Sequence, residues 1–565
     1  MKKTKGLWKI KAALTLVGEI QLAKMRKASK NCKLSQYKAL YSILEYSRNT
    51  IYGKEHHFDE ILAQTDTDSF FSLYRKYVPI NDYENLRPYI ERHKNGEENV
   101  LFQGKAKLYA TTSGTTSEPK WIPYSYKFYD DVYNKIAQTW LYLALKNSPH
   151  VFDGPSVSIV GKAVEGKAPD GTLYGSASGI TRRDLPSFIE PLHTAPAAVY
   201  DISDYKARYY TIMRLGIAHD THFIITANPS TLAEMQTNAN EFFDDYVHDV
   251  EHGTISSKLD ISQTIRDELA LFIKPDPQRA AFLRSLKEKH GTVLPKHYCP
   301  TLKVIYTWKC GNTRVYFDKI KNSFPAGCKM MEFTYLASEG RFGLVLSAEN
   351  DATVLFGHMM YFEFFAEEDI EKENPPVYQL SDLKKGKRYC PIITESAGLY
   401  RYSMNDLIEV TGFYNEFPEI IFIQKINGII SITGEKLHER QFIDAVRKTE
   451  QSTGLYLRFY IGFADVESAK YSIYYEFKDR TVSMQSARDF TERVDREIQK
   501  MNIEYESKRS SNRLKDPVTF ILTEDAFEKF KARCIECGYR DGQFKLNLLL
   551  QDEKRHAMFK ELIQQ

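Results

Sequence analysis

The sequence predicts an α/β fold in two parts: a large N-terminal domain with mostly parallel sheets and a β-barrel-like portion, and a small α+β domain joined to it by a hinge. Three observations predict this. Short apolar runs at 156–160, 222–227, 301–308 and 329–335 alternate with helix-like stretches at 204–219, 230–250 and 312–321, the pattern of a parallel sheet covered on both faces. Within 344–365 and 399–413 the apolar runs crowd together, which suits antiparallel, barrel-like pairing. From 437 onward the order is helix (437–449), strand pair (457–463, 471–477), helix (484–501), strand (517–523) and helix (526–537), a series long enough to bury its own core. The domain boundary is expected in the polar stretch 424–430, giving domains 1–425 and 426–565.

Taken in order, the first hundred residues read as helices, with Leu34, Tyr37, Leu40, Tyr41 and Leu44 at helical spacing. Residues 1–30 carry Lys2, Lys3, Lys5, Lys9, Lys11, Lys24, Arg26 and Lys27 and read as an amphipathic helix with a solvated basic face; a membrane-surface helix is the alternative. Its apolar stretch, 12–18, is too short for a signal peptide and no cleavage pattern follows it. Hydrophobic residues are 42% and charged residues 27% of the 565, a globular composition rather than a disordered one. The net charge is only +3, so no electrostatic footprint for nucleic acid exists, and any anion site must be built locally. No run of eighteen apolar residues occurs, so no membrane span is expected. Seven cysteines, sparse and odd in number, suit a reducing cytoplasm; Cys534 and Cys537 form a lone pair without the second pair that a zinc site needs.

Four segments could carry chemistry. Thr111-Thr112-Ser113-Gly114-Thr115-Thr116-Ser117-Glu118-Pro119-Lys120 follows a strand-like run at 107–110. Its hydroxyls and backbone N–H groups can converge on one anion, Gly114 allows close approach, and Lys120 adds a charge. It is not a Walker loop, because the G-x-x-x-x-G-K-[ST] spacing is absent. The second segment, Tyr335-Leu336-Ala337-Ser338-Glu339-Gly340, follows an expected strand, and strand carboxyl ends are where ligands sit in such sheets. There Tyr335 can cover a base, Ser338 can contact phosphate and Glu339 can hold Mg²⁺. The third, Tyr400-Arg401-Tyr402-Ser403-Met404-Asn405-Asp406, ends in a carboxylate able to accept both hydrogen bonds of a ribose diol. The fourth, Gly434-Glu435-Lys436, opens the small domain with a lysine just past the expected hinge. Each segment alone reads as an ordinary solvated polar stretch.

In this order and at these separations, the four resemble the motifs of the adenylate-forming superfamily. Within it they resemble the auxin-responsive (Gretchen Hagen) acyl-acid amido synthetase family, in a bacterial form. The family's S-S-G-T-S-x-x-x-x-K is similar to 112–120, its Y-x-x-S-E to 335–339 and its Y-R-x-x-x-G-D to 400–406, while its small-domain lysine is similar to Lys436. Asn99-Val100-Leu101-Phe102 and Gly542-Gln543-Phe544-Lys545-Leu546 also look like the family, although Asn547 stands where Pro is usual. Asn405 replaces the usual Gly before Asp; Asn tolerates the left-handed backbone, so the turn is expected to survive.

The resemblance implies a ligase that uses ATP and Mg²⁺. A carboxylic acid is first adenylated with release of pyrophosphate, and an amine, often an amino acid, then takes the acyl group with release of AMP. It assigns Lys436 to the α-phosphate, Glu339 to Mg²⁺, and Thr112, Ser113, Gly114, Thr115, Thr116 and Lys120 to the phosphates. It assigns Tyr335 to adenine, Ser338 to the phosphate region and Asp406 to the ribose, with Arg401 counted among the nucleotide-site residues as a brace for Asp406 or the domain interface. The acyl pocket is expected between the helices after the first motif and the central sheet. Two other readings stay open on the motifs alone: transfer to a thiol such as coenzyme A, and a non-catalytic nucleotide-binding homologue.

Overall fold

The computed structural model describes residues 7–564 apart from 112–119, 185–188, 228, 311–316, 318–319, 371, 373–374, 427–428, 431, 433–434, 436, 466, 511–513 and 537–546. The chain resolves into two compact units, one of 1–404 with 408–423, the other of 405–407 with 424–565.

The parallel sheet of the first unit has the order β3 (Ser156–Ile159), β6 (Phe223–Thr226), β7 (Val304–Thr307), β8 (Lys329–Glu332). All three pairings are parallel, with Ser156 opposite Phe223 and Val304 opposite Lys329. Each strand lies inside an apolar run read from the sequence. Alternate side chains enter different cores: Phe223, Val304 and Tyr306 join one cluster, Ile224 and Ile305 the other. That alternation is the period-two pleat of strands buried on both faces. The second cluster is closed by the helices Tyr205–Ile217 and Phe243–His252. The stretch 230–250, expected as one helix, is two, Pro229–Glu241 and Phe243–His252, because Phe242 leaves helical geometry at φ −101°, ψ 23°. The expected helix 312–321 lies mostly outside the described residues.

The largest sheet is antiparallel, as the crowded runs at 344–365 and 399–413 suggested; its size corrects the expectation of mostly parallel sheets. Its order is β11 (Gly343–Ser347), β12 (Asn350–Leu355), β18 (Phe417–Lys425), β17 (Asp406–Tyr414), β15 (Arg388–Thr394), β13 (Tyr361–Ala366), β14 (Tyr378–Gln379), with β16 (Tyr402–Ser403) beside β15. The β11–β12 and β17–β18 connections are two residues long, too short for the crossover that a parallel pair needs. A further mixed sheet has the order β2 (Trp121–Tyr124), β1 (Leu108–Thr111), β5 (Leu173–Gly175), β4 (Gly166–Lys167), and β1 and β2 flank the Ser/Thr-rich loop as an antiparallel pair.

The N-terminal helix Leu7–Ala28 buries Ile10, Leu14, Leu22 and Met25, while Trp8, Leu16 and Ile20 stay exposed. Gly18 is required there, since a Cβ would meet the Tyr142 ring at 2.2 Å. The helix that Tyr142 belongs to, Asn134–Asn147, is entered through a π-helical turn, Tyr129–Tyr133. Among the described residues no helix is long and apolar enough to cross a membrane.

In the second unit, β21 (Leu457–Asp465) and β22 (Lys470–Phe477) form an antiparallel pair. β22 is flanked in parallel by β23 (Val518–Ile521), and β21 by β24 (Leu549–Leu550). The helix Met484–Met501 buries Phe490, Val494 and Ile498 at helical spacing. The helices Ile503–Ser510 and Glu553–Lys560 and the two-residue β24 are additions to the series read from the sequence.

Candidate active site

The first-unit part of the site is built on a hairpin. β9 (Leu336–Ala337) and β10 (Gly340–Arg341) pair antiparallel, with Arg341 opposite Leu336, so Ser338 and Glu339 form the turn. The chain enters this hairpin through Thr334, whose φ of +106° is a costly conformation for a β-branched residue. The Thr334 hydroxyl donates to the Gly343 carbonyl at 2.9 Å, which helps hold that geometry. Tyr335 is buried against Phe342, ring centroids 5.0 Å apart. The turn is fixed from β2, where the Tyr124 hydroxyl donates to the Ser338 carbonyl at 2.7 Å.

The third segment meets this turn. The Tyr402 hydroxyl lies 3.5 Å from Glu339 Oε1, so two motifs more than sixty residues apart converge on one carboxylate. Burial, then the charge of Glu339, pushes the Tyr402 phenol above its usual range. The backbone preceding Tyr402 is set by glycine: Gly398 has φ +92°, and a Cβ there would meet Leu101 Cβ at 2.6 Å. The Tyr400 hydroxyl donates to the Leu101 carbonyl at 2.6 Å, which ties the 99–102 phrase to the third motif. Asn405 adopts φ +51°, the left-handed turn that its amide side chain was expected to tolerate.

The other site residues read from the sequence fall in different places. Arg401 is buried and committed to the scaffold. Its Nε donates to Glu363 Oε2 at 2.8 Å and its Nη1 to the Val78 carbonyl at 2.8 Å, while Arg75 Nε meets Glu363 Oε1 at 2.8 Å. Lys120 stands at the start of β2 with its Nζ 5.6 Å from the Tyr83 ring centroid. Asp406 belongs to the second unit by its contacts and is buried. Thr112, Ser113, Gly114, Thr115, Thr116, Lys436, Cys537 and Lys545 lie outside the described residues. Next to Lys436, Glu435 is fully buried: it accepts from the Ile432 N–H at 2.8 Å and from the Tyr471 hydroxyl.

Two groups went unread in the sequence. Glu395, at the end of β15, is fully buried and neither carboxyl oxygen has a partner among the described residues. Burial, then the charge of Glu339, raises its pKa well above the usual carboxylate range. Arg341, two residues past Glu339, is buried over the Tyr133 ring, 4.5 Å from its centroid. The available signal was a charged residue inside an apolar strand run, Ile392-Ile393-Thr394-Glu395 in one case and Arg341-Phe342-Gly343-Leu344 in the other.

Beside the hairpin lies a mostly apolar cavity of about 110 Å³, between the helix Asn134–Asn147, the helix Ala177–Arg183 and strands β3 and β6. Tyr133, Trp140, Phe152, Phe223 and Leu336 line it, together with Arg341. That arrangement sets an apolar chamber next to a charged turn.

Comparison with known proteins points the same way. The GH3 family N-terminal domain matches residues 21–329, the central domain 353–425 and the C-terminal domain 440–554. The chain is 27% identical over 492 residues to the indole-3-acetic acid-amido synthetase GH3.3 of Arabidopsis thaliana, covering 79% of this chain and 80% of that protein. It is 25% identical over 426 residues to the 4-substituted benzoates-glutamate ligase GH3.12 of the same plant, covering 72% and 73%. Among solved structures, the GH3.15 acyl acid amido synthetase superposes with a TM-score of 0.82 at 21% identity, covering 97% of this chain and 96% of that one.

Proposed function

The chain belongs to the GH3 family, and from that premise we propose that it is an acyl-acid amido synthetase, a ligase that adenylates a carboxylic acid and transfers the acyl group to an amine, an amino acid by analogy with its relatives. In the first step a carboxylate oxygen attacks the α-phosphorus of ATP and pyrophosphate leaves. In the second the amine nitrogen attacks the acyl carbonyl, AMP leaves and the amine gives up a proton. A carboxylate is a poor electrophile, and the adenylate supplies the leaving group that an amide bond requires.

The observation that carries this reading is the convergence of the second and third motifs, Glu339 meeting Tyr402 at 3.5 Å beside an apolar cavity. The carboxylate of Glu339, with the unpartnered oxygens of Glu395 close by, fits a Mg²⁺ ion, which takes oxygen donors. When bound, that ion would neutralise phosphate charge. Thr112, Ser113, Gly114, Thr115, Thr116 and Lys120 bind the phosphates, Ser338 lies beside them, Tyr335 covers adenine and Asp406 accepts from the ribose. Lys436 reaches the α-phosphate when the small domain closes on its hinge, where a preorganised charge stabilises the transition state. Closure also keeps water from the adenylate. Arg401 supports this site through Glu363 rather than through the nucleotide.

The test is acid-dependent ATP–pyrophosphate exchange over a carboxylic-acid panel, followed by an acceptor panel of amino acids and coenzyme A. Exchange with amide formation is expected. Thioester formation alone would move the chain to the thiol-acylating class, and nucleotide binding without exchange on any acid would make it a non-catalytic homologue.

A further inference from the structure

We propose that Arg341 recognises the carboxylate of the acid substrate, and that the cavity beside it selects a compact apolar acyl body of about one ring or a short branched chain. This rests on the amide-synthetase reading and names the substrate class of that site.

Three lining residues can carry a positive charge: Arg182, His193 and Arg341. Arg182 is neutralised, its Nη1 and Nη2 donating to Glu190 at 2.6 Å and 2.9 Å and its Nη2 also to the Ala195 carbonyl at 2.9 Å. Burial and the neighbouring Arg182 push the His193 pKa well below its usual value, which disfavours the charged form. Its Nδ1 lies 2.9 Å from Ser156 Oγ and 3.3 Å from Ser158 Oγ. Arg341 differs from both. Its Nη2 donates to Thr181 Oγ1 at 3.1 Å, its plane lies over Tyr133, and its Nε is buried without a partner. No carboxylate lies within ion-pair distance of Arg341 among the described residues. A buried guanidinium without a counter-anion is expensive, so a site that keeps one is built for an anion that arrives from outside. The planar fork of Arg matches a carboxylate through two parallel hydrogen bonds.

Position and volume give the rest. Arg341 and Leu336 face each other across the hairpin whose turn holds Ser338 and Glu339. A carboxylate held by Arg341 therefore lies at the end of the cavity next to the residues assigned to the phosphates and the metal, where it must attack. An apolar cavity of about 150 Å³ accommodates benzene. One of about 110 Å³ is on the scale of a single ring or a short branched chain, the size of acid the pocket is expected to favour. The apolar walls favour a carboxylate with an apolar body over a phosphate as the partner of Arg341.

The experiment measures equilibrium binding of benzoate, benzamide, 4-methylpentanoate and 2-naphthoate to the full chain and to Arg341→Gln and Arg341→Lys. It is run with and without saturating Mg·α,β-methylene-ATP, whose α–β bond is not cleaved, and the affinity for that nucleotide is measured on the same variants. The wild type is expected to bind benzoate and 4-methylpentanoate at least tenfold tighter than benzamide and 2-naphthoate. Arg341→Gln should lose at least tenfold for the two acids, leave benzamide within threefold and leave the nucleotide within twofold; Arg341→Lys should fall between. Unchanged acid affinity in folded Arg341→Gln overturns the proposal, as does a parallel loss of nucleotide affinity, which would make Arg341 a phosphate ligand. Equal binding of 2-naphthoate overturns the size limit. If the wild type supports acid-dependent exchange while Arg341→Gln matches it, this inference alone fails. If no acid binds or exchanges, the amide-synthetase reading fails with it.

Discussion

At the scale of single residues, two buried carboxyls contribute stability that is lost as pH rises. Glu332 accepts from the backbone N–H groups of Lys309 and Cys310 at 2.6 Å and 3.1 Å, yet burial outweighs those bonds and lifts its pKa to about 7. In the unfolded chain it ionises near its ordinary value of 4.5. Between about pH 4.5 and 7 the unfolded state gives up a proton that the folded state keeps, so the stability from this residue is present below the window and lost as pH rises through it. The loss is of order 3 kcal/mol. Glu395 acts with the same sign. Relative to the wild type, Glu332→Gln, whose amide oxygen can keep both backbone bonds, is expected to gain melting temperature as pH rises from 5 to 8; parallel profiles would mean that Glu332 is ionised in the fold. For activity, Lys436→Ala should leave ATP affinity nearly unchanged and slow exchange by about a hundred- to a thousandfold, some 3–4 kcal/mol of transition-state stabilisation. A drop under threefold would return Lys436 to the solvent. Asp406→Ala should instead weaken ATP by about 1.5–3 kcal/mol, read as a rise in the Michaelis constant. The types and spacing of these residues were legible in the sequence. Arg341 and Glu395 were not singled out, because a charge inside an apolar run marks burial but does not say that the side chain will be left without a counter-charge.

At the scale of elements, the turns decide more than the strands. Gly398 and Asn405 both occupy left-handed backbone, at φ +92° and +51°, and bracket the segment that delivers Tyr402 to Glu339. Gly398→Ala combines a disfavoured φ with a contact to the Leu101 backbone region that cannot yield. It should cost about 2–4 kcal/mol and lower exchange as well as the unfolding midpoint. Asn405→Gly should change stability by less than about 1 kcal/mol, while Asn405→Val should cost more than that; chemical denaturation of the three variants measures the order. The Asn405 turn was readable because its departure from a motif fell on a residue type that tolerates the same conformation. The break at Phe242 was unreadable, since no glycine or proline marks it and tertiary packing overrides propensity there. The parallel strands were found almost to the residue, because a strand buried on both faces writes an unbroken apolar run. β24 was missed because two residues carry no period.

At the scale of the whole molecule, two compact units imply that unfolding need not be a single step. The cavity belongs wholly to the first unit, so a compact acid bound there should stabilise that unit by mass action. Scanning calorimetry with benzoate is expected to raise the transition of the larger unit and leave that of the smaller one in place; a shift confined to the smaller unit would place the acid elsewhere. The division into a long α/β part and a shorter α+β part was visible as a change of texture in the chain, and the crowded runs at 344–365 and 399–413 pointed to antiparallel pairing in the largest sheet, whereas the extent of that sheet was hidden, since apolar runs do not record which strands pair. The π-helical turn Tyr129–Tyr133 carries one further consequence. A π turn holds one residue more than an α turn, and each α-helical residue advances by about 100°. Losing one residue from this turn would let the helix run in ordinary phase and would rotate Ala137, Trp140 and Leu141, which line the cavity, against Ser125, which caps the helix start at Phe128. A single-codon deletion could thus redraw the chamber in one event. Among natural relatives, chain length at this turn should track acid preference more closely than the identity of any one lining residue.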